Sequence, residues 1–579
     1  MMADALLSAS FHVSHTGIRA GLHKDAQMDG PFKFKKTDRI GTAGAEDDGE
    51  YLKNCYVDTG LLEVLKDTQD PRQLVIGRTG TGKSALLLNL KDTDPDRVVF
   101  IHPEDLALTY ISNSTILKYF SSLGVNLDPF FKLLWRHVLT VEVLIHHFKQ
   151  SPTPQPSSLI DSLRAIFGTQ SREHREMQET VDYLQRWGKT FWEETEYRVK
   201  EITEKFEHQL QDEFRAQIGS DLIGAGGKLT SSDNLSTSQT SELVSRAQHI
   251  VSQAQVRDLT RVVTLLDRVL GDRQKSYYIV VDKLDEAWVD ETMRLRLVMA
   301  LMVTARDFNK VRNAKAVISL RRDLIEQVFR EIRDSGFQEE KFHSLFLPIS
   351  WSRNDLIAVL DRRIDFLVKR RYTRQTVTHR DLLPEKINGV EIDQFLYEVA
   401  PRPRDIIALF NTCITYADDS PKIKRQQFDA ALGEYSRDRL RALADEWSSD
   451  YPSLPKFFPL FFGMPPTCKF SAIDNDKFDK ICLEVSVNIG ESDDALSRYA
   501  TEHINGVGTV TSSLACVLFE FYKIGLIGIK PLSFEKPSWV DQTGRGISRS
   551  ALIDDFSIAI HPSYHRALGT TSDHRRSGK

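Results

Sequence analysis

Residues 77–84 read Gly-Arg-Thr-Gly-Thr-Gly-Lys-Ser. This spacing of glycines, one lysine and one hydroxyl suits a triphosphate. Glycines let the chain curl until successive backbone N–H groups converge on phosphate oxygens, and a helix starting there points its positive end at the same anion. Lys83 has the reach for the β- and γ-phosphates, and Ser84 offers a hydroxyl to Mg²⁺. Gly77, Arg78, Thr79, Gly80, Thr81, Gly82, Lys83 and Ser84 are therefore expected to cradle a nucleotide such as ATP.

Phosphoryl chemistry also needs carboxylates, one for the metal and one for the attacking water. Asp282 ends the apolar run Tyr277-Tyr278-Ile279-Val280-Val281, so Ser84 and Asp282 are the expected Mg²⁺ ligands. Lys283 stands where many NTPases carry glutamate, so Asp285 or Glu286 must supply the base. Glu286 is the favoured base, with Asp285 supporting the metal shell and Lys83 completing the catalytic set. Farther on, Ser319 or Arg321, at the end of another apolar run, is placed to sense the γ-phosphate. Arg404, in Pro401-Arg402-Pro403-Arg404-Asp405, opens a helix from which it can reach the nucleotide. Arg330 and Arg333 read as solvated surface residues rather than as groups acting on a second subunit.

These side chains need a scaffold. Leu74-Val75-Ile76 runs into the glycines, and Ala85-Leu86-Leu87-Leu88 continues as a helix. Further strand patterns lie at 97–103, 276–281, 315–320 and 344–349. Helical stretches separate them, and the strands are apolar throughout rather than alternating. That combination predicts an α/β fold, a parallel sheet covered on both faces. The expected organisation is a loose leader over 1–37, a sheet core from 38–108 and 271–350, and a helical insertion over 109–270. A helical lid over 351–450 and a final domain over 451–579 complete it. Within the insertion, Val199, Ile202, Phe206, Leu210, Phe214 and Ile218 form one stripe, read as packing inside one subunit rather than as a dimer seam. Helices near 475–488, 494–504 and 510–525, followed by strands at 526–530 and 556–560, give the last domain a winged-helix order.

The 579 residues are 41% hydrophobic and 27% charged, with a net charge of −5. Such a balance is that of an ordinary soluble protein and argues against a general nucleic-acid coat, leaving room for a local basic face. No stretch reaches the roughly 20 apolar residues of a membrane helix. Five scattered cysteines suggest small buried apolar groups in a reducing compartment, so a cytoplasmic protein is expected.

GRTGTGKS, YYIVVDKLDEAW, ISLRRD and PRPRDII occur in this order before the winged-helix-like tail. Together they resemble the bacterial P-loop ATPases of the STAND and origin-recognition-like AAA+ group, an ASCE-type fold. The resemblance spans about 38–567. It implies an ATP- and Mg²⁺-dependent switch that controls domain arrangement or assembly, with a homo-oligomer or partner protein, in a group linked to anti-phage defence. Lys283 departs from the group's paired acids, which points to slow turnover or to a scaffold that binds nucleotide without turnover. A DNA-associated loader or remodeller is the other alternative. Against it, residues 471–569 hold nine lysines and arginines and thirteen acids, a net of −4, which displaces phosphate counterions poorly. The denser basic group Arg362, Arg363, Lys369, Arg370, Arg371 and Arg374 reads as a helical face paired with nearby acids.

Overall fold

In a computed structural model of the chain, the residues described are 32–106, 114–149, 275–286, 288–332, 338–487, 494–530 and 556–570, with short pieces of 203–270 and 532–540. Three packed bodies emerge in chain order. The first is built on five parallel strands, β1 (Leu74–Ile76), β2 (Val98–Ile101), β3 (Tyr277–Val281), β4 (Ala314–Leu320) and β5 (Phe346–Pro348), in the spatial order β2-β3-β4-β1-β5. Every residue of β1, β3 and β4 is buried, which is why these segments read as continuous apolar runs.

Each face of the sheet has its own cover. On one side, Val75, Val98, Val280 and Val317 pack against Leu86, Leu87 and Leu90 of α1 (Lys83–Thr93). On the other, Ile279, Ala316 and Ile318 meet α2 (Asp128–Lys149) and α3 (Glu291–Phe308). Two expectations change here. The span 128–149 is part of this second cover, not an excursion, because Phe130, Phe131, Leu134 and Trp135 fill the sheet's own core. Of the stripe 199–218 only Leu210 lies within the described residues, and it is buried in the same core; the rest of the stripe and most of the insertion lie outside them.

The second body is helical. It contains α4 (Arg353–Arg371), α5 (Ile392–Val399), α6 (Pro403–Tyr416) and α7 (Arg425–Glu446), with a two-residue hairpin pair at Lys386–Ile387 and Val390–Glu391. The end of the expected loose leader belongs to it. Phe32 and Phe34 alternate with lysines and are buried in its core, and the Phe34 N–H donates to the Ser420 carbonyl. Burial of two aromatic rings fixes this segment despite its short pattern. Residues 38–55 follow onto the same surface, held by ion pairs from Asp38, Asp48 and Glu50 to α4. They serve this body more than the sheet.

The third body starts from the last turn of α7, since Leu443 and Trp447 already sit in its core. Beside the short helix Leu454–Phe457, it carries α8 (Asn475–Val487), α9 (Ala495–Ile504) and α10 (Val510–Ile524). An antiparallel sheet of β6 (Thr467–Lys469), β8 (Ser557–Ile560) and β7 (Ile527–Lys530) completes it. β6 is an addition to the expected strand pair. All five cysteines are buried. Among the described residues no helix is long and apolar enough to cross a membrane.

Candidate functional site

The glycine loop between β1 and α1 is folded as its composition demands. Gly80 and Gly82 have φ of +79° and +95°, a region that costs β-carbon-bearing residues energy. A β-carbon at Gly77 would stand 2.3 Å from Thr81 Oγ1 and one at Gly80 2.8 Å from the Arg404 side chain. Lys83 Nζ donates to the carbonyls of Gly77 and Arg78 at 3.0 and 3.2 Å. Burial lowers its pKa, while the negative charges of Asp285 and then Asp282 oppose that shift. The half-buried ammonium is thus held by two carbonyls at the mouth of the loop.

Sheet register brings the distant acid to this loop. Val75 lies opposite Ser319 and Val281 opposite Ile318, so Asp282 leaves β3 level with Ser319. Because side chains alternate along a strand, Asp282 shares the sheet face of Val280, the face that packs on α1. The result is direct: Ser84 Oγ donates to Asp282 Oδ2 at 3.2 Å across 198 residues of sequence. These two hard oxygens suit Mg²⁺, a cation that keeps several waters and takes its remaining ligands from phosphate. Among the described residues no group of three or more His, Cys, Asp or Glu is arranged to hold a metal, so these oxygens would need phosphate and water to complete a shell.

Ser319 lies on that same face, is 3% exposed, and its hydroxyl has no hydrogen-bond partner. A buried hydroxyl left unpaired costs roughly 1–3 kcal/mol. Arg321, one step past β4, is already engaged, with Nη2 2.8 Å from Asp323, Nη1 3.7 Å from Asp285 and the guanidinium over the Trp447 ring. Burial works against its charge, but Asp323, Glu446 and Asp285 outweigh it and raise the pKa. Asp285 therefore turns toward Lys83 and Arg321. Glu286 turns away, 3.8 Å from Lys283 Nζ, and burial raises its pKa against the pull of Lys283.

The helical body grips the loop from outside. The Arg404 backbone N–H donates to the Gly80 carbonyl at 3.4 Å, and its Nε reaches the Ala43 carbonyl; its guanidinium is thus spent on main chain. Arg402, passed over in the sequence, donates to the Thr79 carbonyl at 2.9 Å and to Asp405 at 2.6 Å. Trp351 Nε1 donates to the Thr81 carbonyl at 2.8 Å. The arginine-rich motif was visible, but which arginine meets the loop depends on the rotation of α6, and Trp351 carried no local signal. Leu52, Tyr56, Val57, Ile349, Trp351 and Pro403 line an apolar pocket that opens beside Gly82 and Ala85.

From the third body, the C-terminal end of α10 meets the same loop. Arg78 Nη2 donates to the Lys523 carbonyl at 3.1 Å, and its guanidinium lies against Gly525. The Arg78 side chain is thereby directed to the tail, leaving its main chain for the loop. Arg330 lines the cleft between the sheet body and the tail, and Arg333 lies outside the described residues. Four of the six residues in this basic group are ion-paired: Arg363 with Asp48, Arg371 with Asp38, Arg370 with Glu50 and Lys369 with Asp365, while Arg362 donates to the Tyr56 carbonyl.

Two comparisons bear on this chain. A family described as the FunZ-associated C-terminal helical domain matches residues 354–444, which is the helical body from α4 to α7. Over 549 residues the chain is 21% identical to a putative transposon gamma-delta 80.3 kDa protein of Escherichia coli strain K12, an overlap of 92% of this chain and 67% of that protein.

Proposed function

We propose that the chain is a P-loop ATPase of the ASCE type, a slow nucleotide-dependent switch. Its sheet body binds ATP with Mg²⁺, its helical body acts as a lid, and its last body is winged-helix-like. The observation that carries this reading is the contact between Ser84 Oγ and Asp282 Oδ2 at 3.2 Å, formed beside the half-buried Lys83. A surface turn has no reason to fold a lysine back onto two carbonyls within the field of two carboxylates.

The triphosphate is cradled by the N–H groups of 77–84, with Lys83 on the β- and γ-phosphates and Ser84 and Asp282 on the cation. The orphaned Ser319 hydroxyl gains a partner from the γ-phosphate, and the apolar pocket beside Gly82 takes the base. Asp285, facing Lys83 and Arg321, supports the metal shell in this reading, with Glu286 as the base. Arg402 and Trp351 from the lid and Arg78 from the loop hold three bodies around one loop, so a change in the loop on binding or hydrolysis is felt by all three. That is the physical basis of the switch.

Calorimetry with ATP and Mg²⁺, alongside phosphate release, tests it. Micromolar or tighter binding that vanishes in Lys83→Ala is the expected result; no heat at millimolar ATP or GTP sinks it. A DNA-associated ATPase is the second reading, favoured by the transposon name of the Escherichia coli protein. It predicts ATP turnover stimulated by duplex DNA, and an unchanged rate counts against it.

A further inference from the structure

Arg78 is held at both ends. Its carbonyl lies inside the glycine loop and accepts from Lys83 Nζ at 3.2 Å, the Thr81 N–H at 3.3 Å and the Thr81 hydroxyl at 2.8 Å. Its guanidinium leaves the loop and donates to the Lys523 carbonyl at 3.1 Å, in the last turn of α10. Carbonyls in the final turn of a helix lack intrahelical partners, and the helix dipole favours a cation there. Lys523 does not supply that cation itself, because its Nζ turns to Glu520 at 2.9 and 2.8 Å. Gly525 completes the seat. It ends α10 with φ +80°, and a β-carbon there would overlap the Arg78 guanidinium. Glycine meets both demands at once.

The rest of the seam between sheet body and tail is polar. The apolar cores of the two bodies form separate clusters among the described residues. Between them lies a cleft of about 200 Å³, lined by Arg322, Gln327, Arg330, Asp450 and Arg498 together with Arg78. Arg322 crosses it to the Val540 carbonyl and Gln327 to Asp450, both at 2.7 Å. The tail is tied to the helical body in another way. α7 runs into its apolar core through Leu443, the Ala567 N–H donates to the Ser436 hydroxyl at 2.9 Å, and Arg566 pairs with Asp429. A polar seam separates more readily than one closed by a shared apolar core.

We propose that Arg78 is a latch through which nucleotide bound at the loop releases the tail from the sheet body. The proposal rests on the ATPase reading above and gives the switch its direction. Phosphate oxygens carry charge and are stronger acceptors than a carbonyl, so they draw the Lys83 ammonium off the Arg78 carbonyl. The Arg78 peptide then turns its N–H to the phosphates, and the side chain that it carries leaves the end of α10. The polar seam opens, while the tail keeps its hold on the helical body. Binding and latching oppose each other by the same factor, whichever comes first.

The test uses the full chain and its variants R78A, G525A and K83A. ATP affinity is measured by calorimetry, and backbone hydrogen exchange is followed over 520–530 with and without ATP and Mg²⁺. In the wild type, ATP should speed that exchange roughly tenfold. In R78A and G525A it should be fast without nucleotide and insensitive to ATP, and ATP should bind roughly fivefold to tenfold tighter, the low end of ordinary coupling between sites. In K83A it should stay slow with or without ATP. R78A carries the test alone where the tail of G525A loses its own fold. ATP that binds the wild type and leaves the exchange unchanged overturns the proposal while the ATPase reading stands. So does an R78A chain that binds ATP no tighter than the wild type, which would make Arg78 a static brace. A wild type that binds no ATP removes the reading, and the proposal with it.

Discussion

The sheet's carboxyl edge and the surface joining residues 38–55 to α4 are both rich in charge, yet they treat it oppositely. In the second region the largest buried charges are held by named partners. Arg363 and Asp48 are 6% and 3% exposed and joined by a short ion pair, Arg371 and Tyr372 both hold Asp38, and Arg363 also donates to the Ile40 carbonyl. At the sheet edge, Lys83 settles for backbone carbonyls, Ser84 and Asp282 lean on each other, and the Ser319 hydroxyl has no partner. Closed pairing marks a surface whose task ends with folding. Incomplete pairing in buried ground marks a surface that expects something more.

The sharpest way to break this contrast is to open the closed side. Asp48→Ala leaves Arg363 buried without its carboxylate, and removing one partner of a buried pair costs about 3–5 kcal/mol. Urea unfolding should show a loss of that order, and a loss under about 1 kcal/mol would mean that the pairing is incidental. Lys83→Ala attacks the open side. It should leave unfolding nearly unchanged, since the lysine's partners there are only carbonyls at the loop mouth. ATP binding should fall below detection, a loss of at least roughly 100-fold, which is the worth of one or two hydrogen bonds to a charged group. Calorimetry on both variants separates the two regions: the first change belongs to stability and the second to binding.

The open side was far more legible in the sequence than the closed one. Loop, lysine and hydroxyl are contiguous, and Asp282 is flagged by the apolar run that precedes it, so local pattern alone brings them forward. The parallel sheet was legible for a similar reason, because strands buried on both faces read as unbroken apolar runs. The ion pairs of Asp38 and Asp48 join residues 333 and 315 positions apart; nothing local marks which basic residue each acid meets. Phe32 and Phe34 hid in a four-residue pattern too short to signal a core. Arg402 and Arg404 share one motif, and only the set of α6 separates them.

A smaller effect comes from the closed side's histidine. His379 is buried between Asp361 and Asp393, each 2.8 Å from a ring nitrogen. Burial opposes its charge, yet the two carboxylates outweigh it and raise the pKa. A raised folded-state pKa means that the stabilisation is whole below the unfolded value near about 6.5 and is lost as pH rises through the higher folded value. The melting temperature of the wild type minus that of His379→Gln should therefore be largest under mildly acidic conditions and shrink through neutral to alkaline pH. A flat difference would show that the ring is held neutral.

The finest cut is a single hydroxyl. If Ser319 lacks a partner only because the γ-phosphate is absent, Ser319→Ala removes an unsatisfied buried group from the free protein. The free variant should then be as stable as the wild type or more stable by about 1 kcal/mol. With ATP bound the sign reverses, because the wild type gains a hydrogen bond that alanine cannot make, and ATP affinity should drop several-fold. ADP affinity should be unaffected, since the γ-phosphate is missing. Thermal unfolding of both forms without nucleotide, with ADP and with ATP reads out this crossing directly. Loss of stability in the free variant would mean that the hydroxyl is satisfied within the fold, and the open edge of the sheet would then be narrower than Lys83 and Asp282 imply.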